Sequence, residues 1–241
     1  MAKLRIFAGP NGSGKSSMYD EIKDKFRTQN YLNADLLEKN LKKNGYFDFK
    51  EYGLTVTLSQ FLNFYSQSGY NNRLIGANFD ELVKIHQSCL TIDNFPINSY
   101  LAALIADFIR HNFIENAISF CFETVMSDSR KLDLIKTAKD RGYKIYLYFV
   151  ATEDVRINIE RVKMRVKSGG HNVTEAKIKS RYPKTLDLLY DAIRLTDRAY
   201  LFDNSDKMIW FAEITDGKTL ELKTEDVPNW YIQYIETKIP S

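Results

Sequence analysis

Cysteine and proline are scarce in this chain of 241 residues, which holds two cysteines and five prolines. Cys89 and Cys121 fit no disulfide framework and no metal-binding spacing. No apolar stretch approaches the roughly 20 residues that a membrane-spanning helix needs. Internal repeats and low-complexity tracts are missing as well. The sequence therefore gives no sign of a disulfide-stapled, zinc-stabilised or membrane-spanning protein.

A strong excess of one charge is also missing. The net charge is +3 and the sequence pI is near 8.6, too mild to indicate a nucleic-acid partner without local clustering. The chain runs from its first residue directly into an apolar segment, with no pattern of a signal peptide. We expect a cytoplasmic protein with no membrane partner. An apolar share of 44% at this length suits one large α/β domain spanning residues 1–241.

A glycine-rich phosphate-binding pattern follows the first apolar run. Residues 9–16 read Gly-Pro-Asn-Gly-Ser-Gly-Lys-Ser and fill G-x-x-x-x-G-K-[ST] directly after Leu-Arg-Ile-Phe-Ala. In such a site a buried strand ends in a turn whose amide N–H groups point at an anion, and a helix then starts near Lys15. An ordinary glycine-rich turn would not explain Lys-Ser at the helix start. We therefore predict a nucleotide site that takes ATP.

Each residue type in the pattern has a chemical role. The glycines can adopt positive φ and let the backbone approach a phosphate. Lys15 would reach the β- and γ-phosphates, and the Ser16 hydroxyl would bind Mg²⁺. The predicted nucleotide contacts in this segment are Gly9, Pro10, Asn11, Gly12, Ser13, Gly14, Lys15, Ser16 and Ser17.

The remaining chain alternates strand-like and helix-like segments, the pattern of a parallel sheet with crossover helices on both faces. The predicted strands after the first are 30–33, 118–125, 143–150, 200–202 and 208–211. The predicted helices are 16–26, 34–43, 130–140, 153–167, 173–195 and 230–235. The stretch 45–97 breaks the alternation, and apolar positions at Leu58, Phe61, Leu62 and Tyr65 indicate helix. We interpret it as a helical insertion between the second and third strands, and whether it forms its own lobe stays open.

Two acidic residues end predicted strands, at the edge of the sheet where nucleotides bind. Asp35 either caps the next helix or deprotonates an acceptor hydroxyl. Glu123, with Thr124 beside it, needs a cation, a hydroxyl or Mg²⁺ as partner because it follows an apolar strand. A capping or salt-bridge role remains the alternative for Glu123. Asp35, Glu123 and Thr124 are the candidate substrate contacts.

The chain becomes basic between residues 156 and 184. Arg161 and Arg165 are four apart on a predicted helix and so share a face, where a triphosphate would relieve their repulsion. Gly169-Gly170-His171 interrupts the helices, as in the hinge of a lid over about 153–181. The other basic residues of the stretch read equally well as a solvated surface.

Taken in order, these segments resemble the zeta-toxin family of P-loop kinases, over about residues 3–205. The segments that carry the resemblance are Ala-Gly-Pro-Asn-Gly-Ser-Gly-Lys-Ser, Leu-Asn-Ala-Asp, Phe-Glu-Thr-Val-Met-Ser, the apolar strand after Gly-Tyr, Asn-Ile-Glu-Arg-Val-Lys-Met-Arg-Val-Lys-Ser-Gly-Gly-His, and Phe-Asp-Asn-Ser. The resemblance implies a P-loop kinase fold, ATP- and Mg²⁺-dependent phosphorylation of a hydroxyl on UDP-N-acetylglucosamine, and an antitoxin partner.

The same resemblance assigns roles to individual residues. Asp35 matches the general base, Lys15 the phosphate lysine and Arg161 the first lid arginine, while Asp203 and Asn204 fall where related folds hold the nucleotide base. Two departures stand out. No His-Pro follows Asp35, and His171 stands near the place of a second arginine. Either Arg165 or Arg181 supplies that charge, or phosphoryl transfer is slower.

Three functions remain open from sequence. The first is a small-molecule kinase, with a nucleotide sugar as acceptor and a toxin role. The second is a kinase or nucleotidyl transferase acting on nucleic acid, which only the basic stretch favours, so that we do not expect a nucleic-acid partner. The third is a nucleotide-dependent binding module or slow ATPase that acts through a protein partner, for which the aromatic insertion is the candidate surface.

Overall fold

The computed structural model describes residues 1–25, 30–70, 74 and 79–238. The strands within this part of the chain are β1 (Lys3–Ala8), β2 (Tyr31–Leu32), β3 (Tyr46–Asp48), β4 (Val83–His86), β5 (Cys89–Ile92), β6 (Phe120–Thr124), β7 (Lys144–Ala151), β8 (Arg198–Asp203), β9 (Ile209–Thr215) and β10 (Thr219–Leu222). The α-helices are α1 (Lys15–Ile22), α2 (Ala34–Asn44), α3 (Leu58–Gln67), α4 (Phe79–Leu82), α5 (Ser99–Glu115), α6 (Arg130–Asp140), α7 (Val155–Lys167), α8 (Glu175–Asp187), α9 (Leu189–Leu195) and α10 (Asn229–Tyr234). Short 3₁₀ turns occupy 23–25, 49–52 and 236–238.

The chain divides into two compact units, Met1–Tyr31 with Ala117–Ser241 and Leu32–Asn116. The first unit holds most of a seven-stranded sheet in the order β10-β9-β8-β7-β1-β6-β2, whose last strand ends at the first residue of the second unit. Neighbouring strands from β6 through β1 and β7 to β8 are parallel, and β9 and β10 add antiparallel pairs. Helices flank this mostly parallel sheet, as the alternating sequence pattern predicted.

Continuous apolar segments become the central strands. In β1, Leu4, Ile6 and Ala8 are fully buried, and in β7 the last five residues are buried. Such runs are typical of parallel strands covered on both faces. The register aligns Ala8 with Thr124 on one side and with Phe149 on the other. The carboxyl ends of β1 and its two neighbours therefore meet at one edge of the sheet, where the glycine-rich loop begins.

Most predicted elements of the first unit occur within a few residues of the expected bounds, and α6 spans the predicted residues. The predicted helix 16–26 is α1 with a 3₁₀ turn after it, and residue 26 lies outside the described residues. The predicted helix 173–195 is two helices, α8 and α9, that meet at Leu188. The strand β10 was not predicted from sequence.

The second unit has its own core and its own small sheet. Strands β3, β5 and β4 form an antiparallel sheet in that order, and α2 packs against α5. Phe49, Phe61 and Phe108 are almost fully buried and touch one another edge-on or tilted. Aromatic contacts of this kind bury large apolar area per residue and stabilise the unit.

The insertion 45–97 is therefore not purely helical. It contains α3 at the predicted apolar positions, but also the three strands β3 to β5, and it belongs to a unit whose bounds, 32–116, are wider. The helix α5, with 17 residues, was not predicted. Residues 71–73 and 75–78 of the insertion lie outside the described residues. In the part of the chain that the structure describes, no helix is both long and apolar enough to cross a membrane.

Candidate nucleotide-binding site

The glycine-rich loop between β1 and α1 adopts the backbone that the sequence pattern predicts. Gly9, Gly12 and Gly14 have φ of 145°, 79° and 106°, a region that residues with a Cβ rarely enter. Gly14 is the N-cap residue of α1 and has no side chain with which to cap that helix. The N-cap residue thus gives the first amide groups of α1 no side-chain acceptor, which suits the end of a helix that binds an anion.

Lys15 is the first residue of α1 and is buried. Its Nζ donates to the carbonyl of Pro10 at 2.9 Å, so the ammonium group is folded back over the loop. The backbone N–H of Ser13 also donates to that carbonyl, at 3.2 Å. The positive charge of Lys15 is therefore held at the turn in which the sequence pattern predicts phosphate groups.

Ser16 and Glu123 are joined by a hydrogen bond at the edge of the sheet. The Ser16 hydroxyl donates to Glu123 Oε2 at 3.1 Å, and the Tyr31 hydroxyl donates to Glu123 Oε1. The Tyr31 ring is stacked on Tyr19 with centroids 3.7 Å apart. Glu123 thus has hydroxyl partners, one of the options that its strand-end position required.

The geometry of this pair fits a small hard cation. Neighbouring oxygen ligands in an octahedral Mg²⁺ shell lie about 2.9 Å apart, since each Mg–O bond is about 2.0–2.1 Å. Ser16 Oγ and Glu123 Oε2 are close to that spacing, and one of them is a carboxylate. Among the described residues no group of three or more His, Cys, Asp or Glu could hold a metal by itself. A cation here would therefore need further ligands from phosphate and water, as Mg²⁺ commonly has in nucleotide sites.

The segment 203–205 after β8 is tied to other parts of the protein. Asp203 accepts from the backbone N–H and hydroxyl of Ser205 at 2.9 and 3.0 Å, and from Trp230 Nε1 at 2.9 Å. Asn204 donates through Nδ2 to the Ser13 carbonyl at 2.8 Å. Of the two residues expected to hold the nucleotide base, Asn204 thus contacts the phosphate loop, and Asp203 accepts from Ser205 and Trp230.

Arg161 and Arg165 share a helix but not a partner. Arg161 donates from both terminal nitrogens to the carbonyls of Asn204 and Ser205. Arg165 donates to the carbonyl of His171 at 2.9 Å, in the turn that ends α7. The two guanidinium groups therefore have different protein partners, and their predicted joint contact with a triphosphate stays a prediction. Arg161 contacts the loop 203–205, and Arg165 contacts the backbone just after the end of α7.

Other predicted residues have local partners. Thr124, the last residue of β6, accepts through Oγ1 from the backbone N–H of Met126. Asp35 is exposed in the first turn of α2, and Asn33 caps that helix by accepting from Asp35 N and Leu36 N. The side-chain cap of α2 is therefore Asn33, which removes the simplest alternative role for Asp35.

Sequence reasoning did not single out Asn158, Tyr31 or Trp230. Asn158 is fully buried in α7 and donates from Nδ2 to the Asn11 carbonyl at 2.8 Å. A polar residue on the face of a helix that also carries Arg161 could have been a signal for Asn158. Nothing in the sequence pairs Tyr31 with Glu123 or Trp230 with Asp203, because those contacts join distant segments.

No protein-family profile matches the chain. An uncharacterized protein of Haemophilus influenzae is 39% identical over 72 residues, which make up 30% of this chain and 51% of that protein. The chain thus spans about half the length of this curated relative.

Solved structures resemble the chain over its full length. A chain in the crystal structure of AvrRxo1-ORF1:AvrRxo1-ORF2 with sulphate ions superposes with a TM-score of 0.57 at 14% identity, covering 100% of this chain and 65% of that one. The AvrRxo1-ORF1:-ORF2 structure with ATP gives the same TM-score at 13% identity and the same coverage. The predicted fold class is confirmed. It is an α/β fold with a mostly parallel sheet flanked by helices, shared with the AvrRxo1-ORF1:AvrRxo1-ORF2 structure.

Proposed function

We propose that the protein is an ATP- and Mg²⁺-dependent phosphotransferase that phosphorylates a hydroxyl group of a small molecule. One observation carries the proposal: a loop with three positive-φ glycines delivers Lys15 and the Ser16–Glu123 oxygen pair to one end of β1. Amide N–H groups, an ammonium and a serine–carboxylate pair are the groups that a nucleoside triphosphate with its metal ion needs.

Each of these groups has a separate task. The loop amides and the start of α1 bind and orient the phosphates, and Lys15 exchanges the Pro10 carbonyl for a phosphate oxygen. Ser16 and Glu123 hold the metal ion, and Tyr31 fixes the orientation of the Glu123 carboxylate. Bound ATP supplies the phosphoryl group. The loop therefore provides positioning and charge, which dominate catalysis of phosphoryl transfer.

The proposal that a hydroxyl compound accepts the phosphoryl group depends on Asp35 and on the resemblance to zeta toxins. Asp35 is exposed, and Asn33 rather than Asp35 is the side-chain cap of its helix, so we assign the Asp35 carboxylate the role of general base for an acceptor hydroxyl. UDP-N-acetylglucosamine is the first acceptor to test, together with other nucleotide sugars. The AvrRxo1 structures are complexes of two proteins, which supports a search for an antitoxin-like protein partner.

The deciding experiment incubates the protein and Mg²⁺ with γ-labelled ATP and a metabolite extract, then separates small molecules. We expect a newly labelled compound with the parent protein and none with Lys15→Ala. Lys23→Ala is the matched control, because Lys23 is exposed near the end of the same helical segment and pairs with Asp20. Label appearing only in inorganic phosphate would overturn the transferase proposal.

A nucleotide-dependent binding module or slow ATPase is the second candidate. It is favoured by the contacts of Arg161 and Arg165, which both donate to backbone carbonyls. Hydrolysis without transfer in the experiment above would select it.

A nucleic-acid kinase is less well supported. Basic residues of the 156–184 stretch pair with acidic neighbours, in Arg156–Asp154, Lys163–Glu160 and Lys179–Glu175.

A further inference from the structure

Two asparagine side chains reach the phosphate loop from distant parts of the sequence. Asn158, in α7, donates from Nδ2 to the Asn11 carbonyl at 2.8 Å. Asn204, after β8, donates from Nδ2 to the Ser13 carbonyl at 2.8 Å. Neither asparagine belongs to the G-x-x-x-x-G-K-[ST] pattern, yet each binds a carbonyl inside it.

Gly12 and Gly14 have no Cβ, and this lets Asn158 and Asn204 approach the loop very closely. A Cβ added to Gly12 would lie 2.5 Å from the Asn158 carbonyl oxygen, and one added to Gly14 would lie 2.4 Å from Asn204 Nδ2. Both distances are too short for any real Cβ contact. Gly12 and Gly14 are therefore needed for the approach of Asn158 and Asn204, in addition to their positive φ.

Each asparagine is itself held in place. Asn158 Oδ1 accepts from the Thr152 hydroxyl, and the Tyr182 hydroxyl donates to the Thr152 carbonyl. Burial raises the pKa of Tyr182, so that hydroxyl stays protonated and remains a donor. The backbone N–H of Asn204 donates to the carbonyl of Ala151 at 2.8 Å.

Arg161 closes the arrangement into a ring. It lies one turn after Asn158 on α7 and donates to the carbonyl of Asn204. The ring runs from the phosphate loop through Asn158, along α7 to Arg161, and back through Asn204 to the loop. A fixed ring of this kind limits how far α7 can move as a lid without breaking contacts to the loop.

Peptide geometry shows what the two contacts do. The C=O and N–H of one planar trans peptide point in opposite directions. The Asn11 carbonyl faces Asn158, so the Gly12 N–H points inward, that is, to the side of the loop away from Asn158. In the same way the Ser13 carbonyl faces Asn204, so the Gly14 N–H points away from Asn204. Inward N–H groups are the donors of an anion-binding loop.

We propose that Asn158 and Asn204 are positioning residues that orient the Gly12 and Gly14 amides toward the phosphates of the bound nucleotide. This inference rests on the proposed function, because it takes the loop as a triphosphate site. It gives Asn204 a role different from holding the nucleotide base. The ligand chemistry that it concerns is the phosphate chain alone.

Inorganic triphosphate is the probe that separates these roles, because it has no base. We would measure its dissociation constant and that of ATP by calorimetry with Mg²⁺ for the parent, Asn158→Ala and Asn204→Ala. Removal of one such hydrogen bond costs about 1 kcal/mol, or roughly fivefold in affinity. We expect each variant to bind both ligands about fivefold more weakly. Asn112→Ala is the matched control, since Asn112 Nδ2 donates at 2.8 Å to the Phe108 carbonyl within α5.

Each outcome has a distinct meaning. Weaker ATP binding with unchanged triphosphate binding by Asn204→Ala would overturn the proposal in favour of base recognition. Parental affinities with a lower melting temperature would also overturn it, because a purely structural role would then suffice. Asn204 is only half-buried, so its variant tests the proposal even if Asn158→Ala does not fold. A parent protein that binds neither ligand would instead contradict the proposed function.

Discussion

The two compact units of this protein differ in the groups that build them, backbone groups at the candidate site of one and packed side chains in the core of the other. In the first unit, the candidate site is built largely from backbone: positive-φ glycines, loop carbonyls and a helix start. In the second unit, Leu32–Asn116, the described contacts are mainly side-chain packing around an aromatic core. The difference teaches that a site made of backbone leaves a short, local sequence signature, whereas a unit built by packing does not.

The same difference separates the two halves of the proposed reaction. The proposed nucleotide binding depends on residues of the first unit, such as Lys15, Ser16 and Glu123. The proposed base, Asp35, belongs to the second unit. Changes in the first unit should therefore alter ATP affinity, and changes in the second should leave it intact.

Replacement of Asp35 by Asn would test this division most strongly. As a general base, Asp35 contributes about 10²- to 10⁴-fold to turnover, so Asp35→Asn should lower kcat by that factor and leave ATP affinity unchanged. Single-turnover transfer and calorimetry measure the two quantities. Asp80→Asn is the control, because Asp80 is also exposed in the first turn of a helix in the second unit. Full activity in Asp35→Asn would exclude Asp35 as the base.

Lys15→Ala should have the largest effect on ATP binding. The change removes a charge-assisted contact of about 1.5–3 kcal/mol, which corresponds to roughly 10- to 150-fold in affinity. Calorimetry with ATP and Mg²⁺ measures it, with Lys23→Ala as the variant expected to bind like the parent. Equal affinity in the parent and Lys15→Ala would remove the loop from the nucleotide site.

Within the first unit, lysine substitutions at the two arginines of α7 should have different effects on ATP affinity. Arg161 uses its planar fork on two carbonyls, and lysine cannot reproduce both bonds. We expect Arg161→Lys to weaken ATP binding about fivefold through the loop 203–205, and Arg165→Lys to change it by less than about twofold. A fall in turnover of about 10³-fold or more at unchanged ATP affinity would show instead that Arg161 meets the transferring phosphoryl group.

The smallest expected effect concerns stability of the second unit. Thr57 caps α3 in a reciprocal capping box with Gln60. Thr57→Ala should lower the free energy of unfolding by about 1 kcal/mol without changing ATP affinity. Urea unfolding measures the loss, and Ser59→Ala, exposed within the same helix, should cost only a few tenths of that. An altered ATP affinity in Thr57→Ala would contradict the division between the units.

Much of the first unit could be predicted from sequence because its signals are local. The apolar run of β1, the glycines of the loop and the start of α1 at Lys15 follow one another directly. The second unit offered fewer signals. The turn between β4 and β5 uses Gln87 and Ser88 at positive φ, where such turns usually have Asn or Gly. The helix α5 is buried around much of its circumference, so the amphipathic period that marks a surface helix is weak.

By itself, the sequence determined the phosphate loop, the alternating α/β order and the candidate roles of Lys15, Ser16 and Asp35. Only the tertiary structure decided the partners of Arg161 and Arg165, which a spacing of four residues placed on one face but which bind different carbonyls. The tertiary structure alone also brought Asn158 and Asn204 to the loop, from 147 and 191 residues away in sequence. Local patterns fix backbone conformation and helix faces, whereas the partner of a long side chain depends on which distant segment packs beside it.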